Sequence, residues 1–145
     1  MKKKILIISV GRSDYDRYLP ILSALYKSKK TKLSLFLASA HYNKKLGHTA
    51  NYVDKKFNII KGNFFFKDHD MIYNFSQDLK FLSSRIKKLK PDLLIVLGDR
   101  YEMLLGPIIA APKNIPVIHF YGGAVTEGAI DELIRHAITK MSHFH

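Results

Sequence analysis

Cysteine is absent from the 145 residues, so no disulfide, thiolate nucleophile or Cys-based metal site can be built, a state compatible with a reducing compartment. Long apolar runs are missing too. The opening MKKKILIISV imitates a secretory leader, but its apolar stretch ends at Val10 and meets Arg12, Asp14 and Asp16, short of a signal core. No segment approaches the roughly 20 apolar residues of a membrane span. The expectation is a soluble, cytoplasmic protein. Acidic residues are scarce: 12 Asp and Glu against 24 Lys and Arg leave a net charge of +12. The surplus is uneven, with 20 basic and 6 acidic side chains in residues 1–90, and 4 basic and 6 acidic in residues 91–145. The lysines fall in helix ends and turns without interleaved aromatics, so specific nucleic-acid binding is not expected. GxGxxG, GxxxxGK[ST] and HExxH are all absent, which argues against dinucleotide, P-loop and zincin sites.

What the chain has is 47% hydrophobic content, enough for one core, and no Gly/Ser linker or internal repeat. Short apolar runs alternate with helical periodicities, as in βα units around a parallel sheet buried on both faces. Strands are predicted over Ile5–Val10, Leu33–Ala38, Asp92–Leu97 and Pro116–Tyr121, with a short one at Asn58–Lys61. A helix is predicted over Arg17–Lys29, with Leu19, Leu22, Leu25 and Tyr26 on one side and Pro20 tolerable only in its first turn. Another, over Asp68–Lys90, carries apolar positions Ile72, Phe75, Leu79, Leu82, Ile86 and Leu89. That seam packs on the sheet or, alternatively, on a second copy of the chain. A last helix over Ala129–Met141 would turn Ile130, Ile134, Ala137, Ile138 and Met141 inward, with Asp131–Arg135 and Glu132–His136 as i,i+4 pairs. A βα alternation would next begin a strand after Met141, so an open sheet cut short is expected.

Ligands of open α/β sheets bind beyond the carboxyl ends of the strands. There this chain places Gly11-Arg12-Ser13-Asp14, Gly98-Asp99-Arg100-Tyr101-Glu102 and Gly122-Gly123-Ala124-Val125-Thr126-Glu127-Gly128. Glycine allows close backbone approach, and neighbouring amides can cradle an anion. Asp99 can cap a helix or handle a proton, while Arg12 and Arg100 can pair with carboxylates or a phosphate. His119, inside a strand, reads as a satisfied core histidine. His136, His143 and His145 lack a metal-ligand spacing, so no metal site is predicted.

VGRSDY (Val10 to Tyr15), His41, PDLLIVLGDRYE (Pro91 to Glu102) and GAIDELIRHAITKMSHFH (Gly128 to His145) resemble the hydrolysing UDP-N-acetylglucosamine 2-epimerases of sialic acid and related nonulosonate biosynthesis. The resemblance covers essentially the whole chain. It implies a Rossmann-like domain, residues 1–145, equivalent to the amino-terminal half of a two-domain enzyme of glycosyltransferase-B arrangement, whose active site lies between the domains. A chain lacking the second domain is expected to be inactive alone, unless a separate chain supplies that half. The implied reaction needs neither metal nor nicotinamide: a base takes the C2 proton, UDP leaves C1, and water adds to the glycal to give N-acetylmannosamine. The substrate would be UDP-N-acetylglucosamine or, alternatively, a UDP-linked diacetamido-trideoxy sugar; a non-catalytic binding or assembly module is the other reading. By motif, Asp99 and Asp131 match family active-site carboxylates, Arg12 matches the first-loop residue that faces the nucleotide side, His41 matches a histidine of the loop after the second strand, and Gly122 and Gly123 match the Gly-Gly loop; these last four are the expected substrate-binding residues, together with Arg100. The family usually reads HGGE where this chain has Tyr121-Gly122-Gly123-Ala124, so Glu127 becomes the candidate for the missing carboxylate.

Overall fold

The computed structural model describes residues 1–62, 67, 70–125 and 130–145. Five parallel strands form one sheet in the order β3-β2-β1-β4-β5: β1 (Lys3–Ser9), β2 (Thr31–Leu37), β3 (Asn58–Lys61), β4 (Leu93–Leu97) and β5 (Val117–Phe120). The Rossmann-like α/β architecture expected from the strand-helix alternation is what forms. Strand order reverses direction between β1 and β4, so the loops that follow these two strands open side by side.

Alternating strand residues supply two cores because successive side chains point to opposite faces. Leu6, Ile8, Phe36, Leu94 and Val96 pack under α2 (Met71–Leu89), the short α3 (Leu105–Ala110) and α4 (Ile130–Met141). Ile5, Ile7, Leu33, Leu35, Leu37, Ile95 and Leu97 pack under α1 (Arg12–Lys27) and the 3-10 turns that follow β2. Full burial of one such side chain stabilises by about 2 kcal/mol. Beyond α4 the chain turns back to the sheet, where the Phe144 carbonyl accepts from His119 N–H at 2.8 Å in a parallel bridge beside β5.

Several expected helix faces differ. α1 starts at Arg12, not Arg17, so Pro20 lies in its interior. Pro20 cannot bond the Asp16 carbonyl, but Asp16, Leu19 and Pro20 are all exposed, and water can satisfy that oxygen. The earlier start also rotates the buried face to Asp14, Tyr15, Tyr18 and Leu22, leaving Leu19 and Tyr26 outside. In α2 the innermost line is Asn74, Asp78, Leu82 and Ile86, and Ile72 is 73% exposed. The cause is polar: Asn74 exchanges hydrogen bonds with the backbone of Lys67, at 2.9 Å to its N–H and 2.7 Å to its carbonyl. Phe75, Leu79 and Leu89 remain partly buried against the core. In α4 the buried residues are Arg135 and Ile138, whereas Ile130 and Ala137 face outward. Among the described residues no helix is long and apolar enough to cross a membrane.

Candidate active site

The loop after β1 turns into α1 under a carboxylate. Asp14 Oδ2 accepts from the N–H groups of Val10 and Gly11, both at 3.2 Å, which fixes the first turn. Burial pushes the Asp14 carboxyl above the usual aspartate range, opposed by these amides and by the charge of Arg100. Arg12 opens this turn, with its guanidinium 4.8 Å from the centre of the Tyr52 ring and its Nε 3.5 Å from Asp16.

Across the strand reversal, Gly98 takes a positive φ of 75° that releases the chain from β4 into Asp99 and Arg100. Arg100 donates from Nε and Nη2 to Glu102, at 3.3 and 3.0 Å. Glu102 is 3% exposed, so this fork is the compensation for a buried carboxylate. Arg100 Nη1 points at the neighbouring loop, 3.8 Å from where a Cβ on Gly11 would stand. Burial lowers the Arg100 pKa, but bonding to Glu102 outweighs it and holds the guanidinium above its ordinary value.

Arg135 ties the β4 and β5 loops together. Its Nη2 pairs with Asp99, and its Nη1 donates to the Ala124 carbonyl at 3.0 Å. The expected Asp131–Arg135 helical pair therefore does not form, because the buried Arg135 points across the sheet rim. Glu132 and His136 do pair, at 3.2 Å. Beneath them His119 is buried with both ring nitrogens satisfied, as its strand position suggested. Nε2 lies 2.6 Å from the Gly98 carbonyl and Nδ1 3.0 Å from the Thr139 hydroxyl, which in turn accepts from Gly123 N–H at 3.3 Å. Burial lowers the His119 pKa, so the neutral ring donates from Nε2 to Gly98 and accepts from Thr139 at Nδ1. Gly122 is required by packing: a Cβ there would sit 2.7 Å from His119 Nδ1 and 2.9 Å from Thr139 Oγ1.

His41 is fully buried, with Ser9 Oγ 3.0 Å from Nε2 and Thr49 Oγ1 2.9 Å from Nδ1. It faces the rim through Ser9 and Thr49 rather than directly. Burial, with the charge of Arg100, lowers its pKa to about 4.

Arg100, Glu102, Asp131, Ile130 and Ile134 line one cavity of about 310 Å³ at the carboxyl end of the sheet. Asp131 thus joins Arg100 at one hollow, with Asp99 held at the same rim by Arg135. Glu127 lies outside the described residues. Among the described residues no group of three His, Asp or Glu side chains could hold a metal ion. A larger cavity of about 470 Å³ runs beside Ile59, Ile60, Phe81 and Arg85 and collects none of the candidate residues. Sequence reasoning missed Arg135, whose i,i+4 partner gave no sign of the loops it joins, and the burial of Glu102 beneath Arg100.

The model of the family described as UDP-N-acetylglucosamine 2-epimerase matches residues 23–145. A GDP/UDP-N,N'-diacetylbacillosamine 2-epimerase (hydrolyzing) of Campylobacter jejuni is 34% identical, over 99% of this chain and 38% of the relative. A UDP-N,N'-diacetylbacillosamine 2-epimerase (hydrolyzing) of Legionella pneumophila is 33% identical, over 100% of this chain and 40% of the relative. The fold overlays on the crystal structure of UDP-GlcNAc 2-epimerase from Neisseria meningitidis bound to UDP-GlcNAc, with a TM-score of 0.81 at 18% identity, covering 98% of this chain and 39% of that one. The chain spans about two fifths of the length of the curated relatives it matches. With the family model covering most of its residues, and with charged side chains gathered on the loops at the strand ends, the chain belongs to the UDP-N-acetylglucosamine 2-epimerase family.

Proposed function

We propose that this chain forms the amino-terminal side of the active site of a hydrolysing 2-epimerase acting on a UDP-linked 2-acetamido sugar, with UDP-N-acetylglucosamine as substrate. The observation that carries the reading is the meeting, at one sheet rim, of the Arg135-anchored Asp99, of Asp131 and of Arg100. In this reading a carboxylate, Asp131 or Asp99, removes the C2 proton as the C1–O bond to UDP breaks. Water then adds across the resulting double bond, hydroxyl to C1 and a proton to the opposite face of C2. Arg100, with Arg12 of the first turn of α1, faces the departing diphosphate, where a fixed guanidinium stabilises developing charge. Glu127 is the proposed second proton carrier in place of Ala124. A second domain, on the same chain or another, closes the cleft against water.

The direct test incubates the 145-residue protein with UDP-N-acetylglucosamine and measures UDP release. The proposal expects UDP binding but no robust turnover by this chain alone, and turnover once the second half is supplied. Failure to bind UDP, or full activity of the isolated chain, would overturn it.

A second reading takes a UDP-linked diacetamido-trideoxy sugar as substrate. The Campylobacter and Legionella relatives favour it, being 34% and 33% identical and named for N,N'-diacetylbacillosamine, against 29% for the UDP-N-acetylglucosamine 2-epimerase of Neisseria meningitidis. Paired assays with the two sugars on the two-domain assembly separate these readings by their ratio of kcat/KM.

A further inference from the structure

Arg100 is gripped on one edge and open on the other. Nε and Nη2 are taken by Glu102, and Nη1 is turned towards Gly11 at the start of α1. The two partners differ sharply in exposure: the Arg100 side chain is 44% exposed and lines the cavity, whereas that of Glu102 is 3% exposed. A guanidinium present only to neutralise a buried carboxylate has no need to extend into an open hollow. Other charged and polar groups face it from four elements: Asp14 from α1, His41 from the turn after β2, Asp131 of α4 across the cavity, and Tyr101 from its own turn. None of these grips it, so Glu102 alone sets the orientation of the fork among the described residues.

We propose that Glu102 is a positioning residue for anion binding, holding Arg100 so that its free edge and the first amides of α1 meet a diphosphate together. The proposal rests on the reading of Arg100 given above. Its physical content is preorganisation: a free arginine loses side-chain freedom when it binds, and a clamped one has already lost it. The α1 amino terminus adds amide donors and a favourable dipole on the same side.

Calorimetric titration with UDP at low salt tests this on the wild-type chain, Arg100→Ala, Glu102→Gln, Glu102→Asp and the double variant Arg100→Ala/Glu102→Gln. Simple electrostatics and positioning predict opposite signs for Glu102→Gln. Removing a negative charge beside an anion site should tighten UDP binding, whereas releasing the clamp should weaken it, by about fivefold. In the Arg100→Ala background the same substitution should cost nothing further, which a merely structural Glu102 would not reproduce. If Glu102→Gln does not fold, Glu102→Asp keeps the charge but shortens the reach, and it should also bind UDP more weakly. Wild-type chain that fails to bind UDP, or Arg100→Ala that binds it equally well, defeats the reading of Arg100 itself. Arg100→Ala weak, with Glu102→Gln or Glu102→Asp as tight as wild type or tighter, overturns the positioning role alone.

Discussion

Asp99 and Arg135, 36 positions apart, form an ion pair across the sheet rim, with the Arg135 side chain 7% exposed and that of Asp99 33%. The pair fixes the loop after β4 to α4, and the bond from Arg135 to the Ala124 carbonyl draws in the loop after β5.

Removing the guanidinium should therefore loosen three elements together. Arg135→Met is expected to destabilise the fold by about 2–3 kcal/mol, below the usual cost of breaking a fully buried pair because Asp99 keeps access to water. Asp99→Asn should cost less, and the double variant should cost less than the sum of the two. Urea unfolding of all three proteins measures this; strict additivity would show that the two side chains do not act as a pair.

His41 gives the chain an acid-sensitive component. Its pKa falls from 6.5 to about 4 on folding, so between these values the unfolded chain binds more protons and stability drops as the pH falls. The contribution is present above pH 6.5, amounts to about 3 kcal/mol and is lost progressively on approach to pH 4. Asp14 works the other way, because its raised pKa favours the folded state at low pH. Unfolding free energies at pH 7 and pH 4.5 should differ less for His41→Gln than for wild type. An equal difference would mean that His41 does not titrate in the way its burial requires.

Gly122→Ala places a methyl group against His119, Thr139 and His145 at 2.7–2.9 Å. Because the His119 ring is buried and bonded on both sides, it cannot simply move away, and a loss of about 1–3 kcal/mol is expected. Differential scanning calorimetry reads the fall in Tm. The imidazole resonances of His119 should shift in the same variant, and unchanged resonances would show that the ring is not the neighbour that yields.

Asn74→Leu would make α2 more hydrophobic in sequence terms. It should nevertheless destabilise the protein by about 1–3 kcal/mol, since the N–H and carbonyl of Lys67 lose their partners. A gain in stability on chemical denaturation would restore the purely apolar view of this helix face.

Much of the fold was legible because continuous apolar runs such as Leu93–Leu97 can be buried on both faces only within a layered sheet. Strand positions were correct to within two residues. Helix faces were harder to read: in α1 and α2 the innermost lines include Asp14, Asn74 and Asp78, which hydropathy assigns to solvent. A buried polar group is tolerated when backbone outside its own helix satisfies it, as Val10 and Gly11 do for Asp14 and Lys67 does for Asn74, and helical periodicity does not register such partners. At the candidate site the strand-end glycines, Asp99 and Arg100 were visible in the one-dimensional pattern, and Asp131 came through the family resemblance. The Asp99–Arg135 pair was not visible, since local spacing offered Asp131 as the nearer partner.

The absence of cysteine and of long apolar runs is enough to exclude disulfide and membrane-spanning helical designs, and the alternating periodicities set a parallel α/β sheet. Local spacing was enough for Glu132 and His136, but tertiary structure alone decided which charges meet across elements. Strand order brings the loops after β1 and β4 together at the sheet reversal, and only there can Arg100 lie between Gly11 and Glu102. Periodicity reports which side of an element leaves water, because burial is a local average over one helix or strand. The pairing of ionic groups from different elements, such as Asp99 with Arg135, depends on distances that exist only once the sheet has assembled.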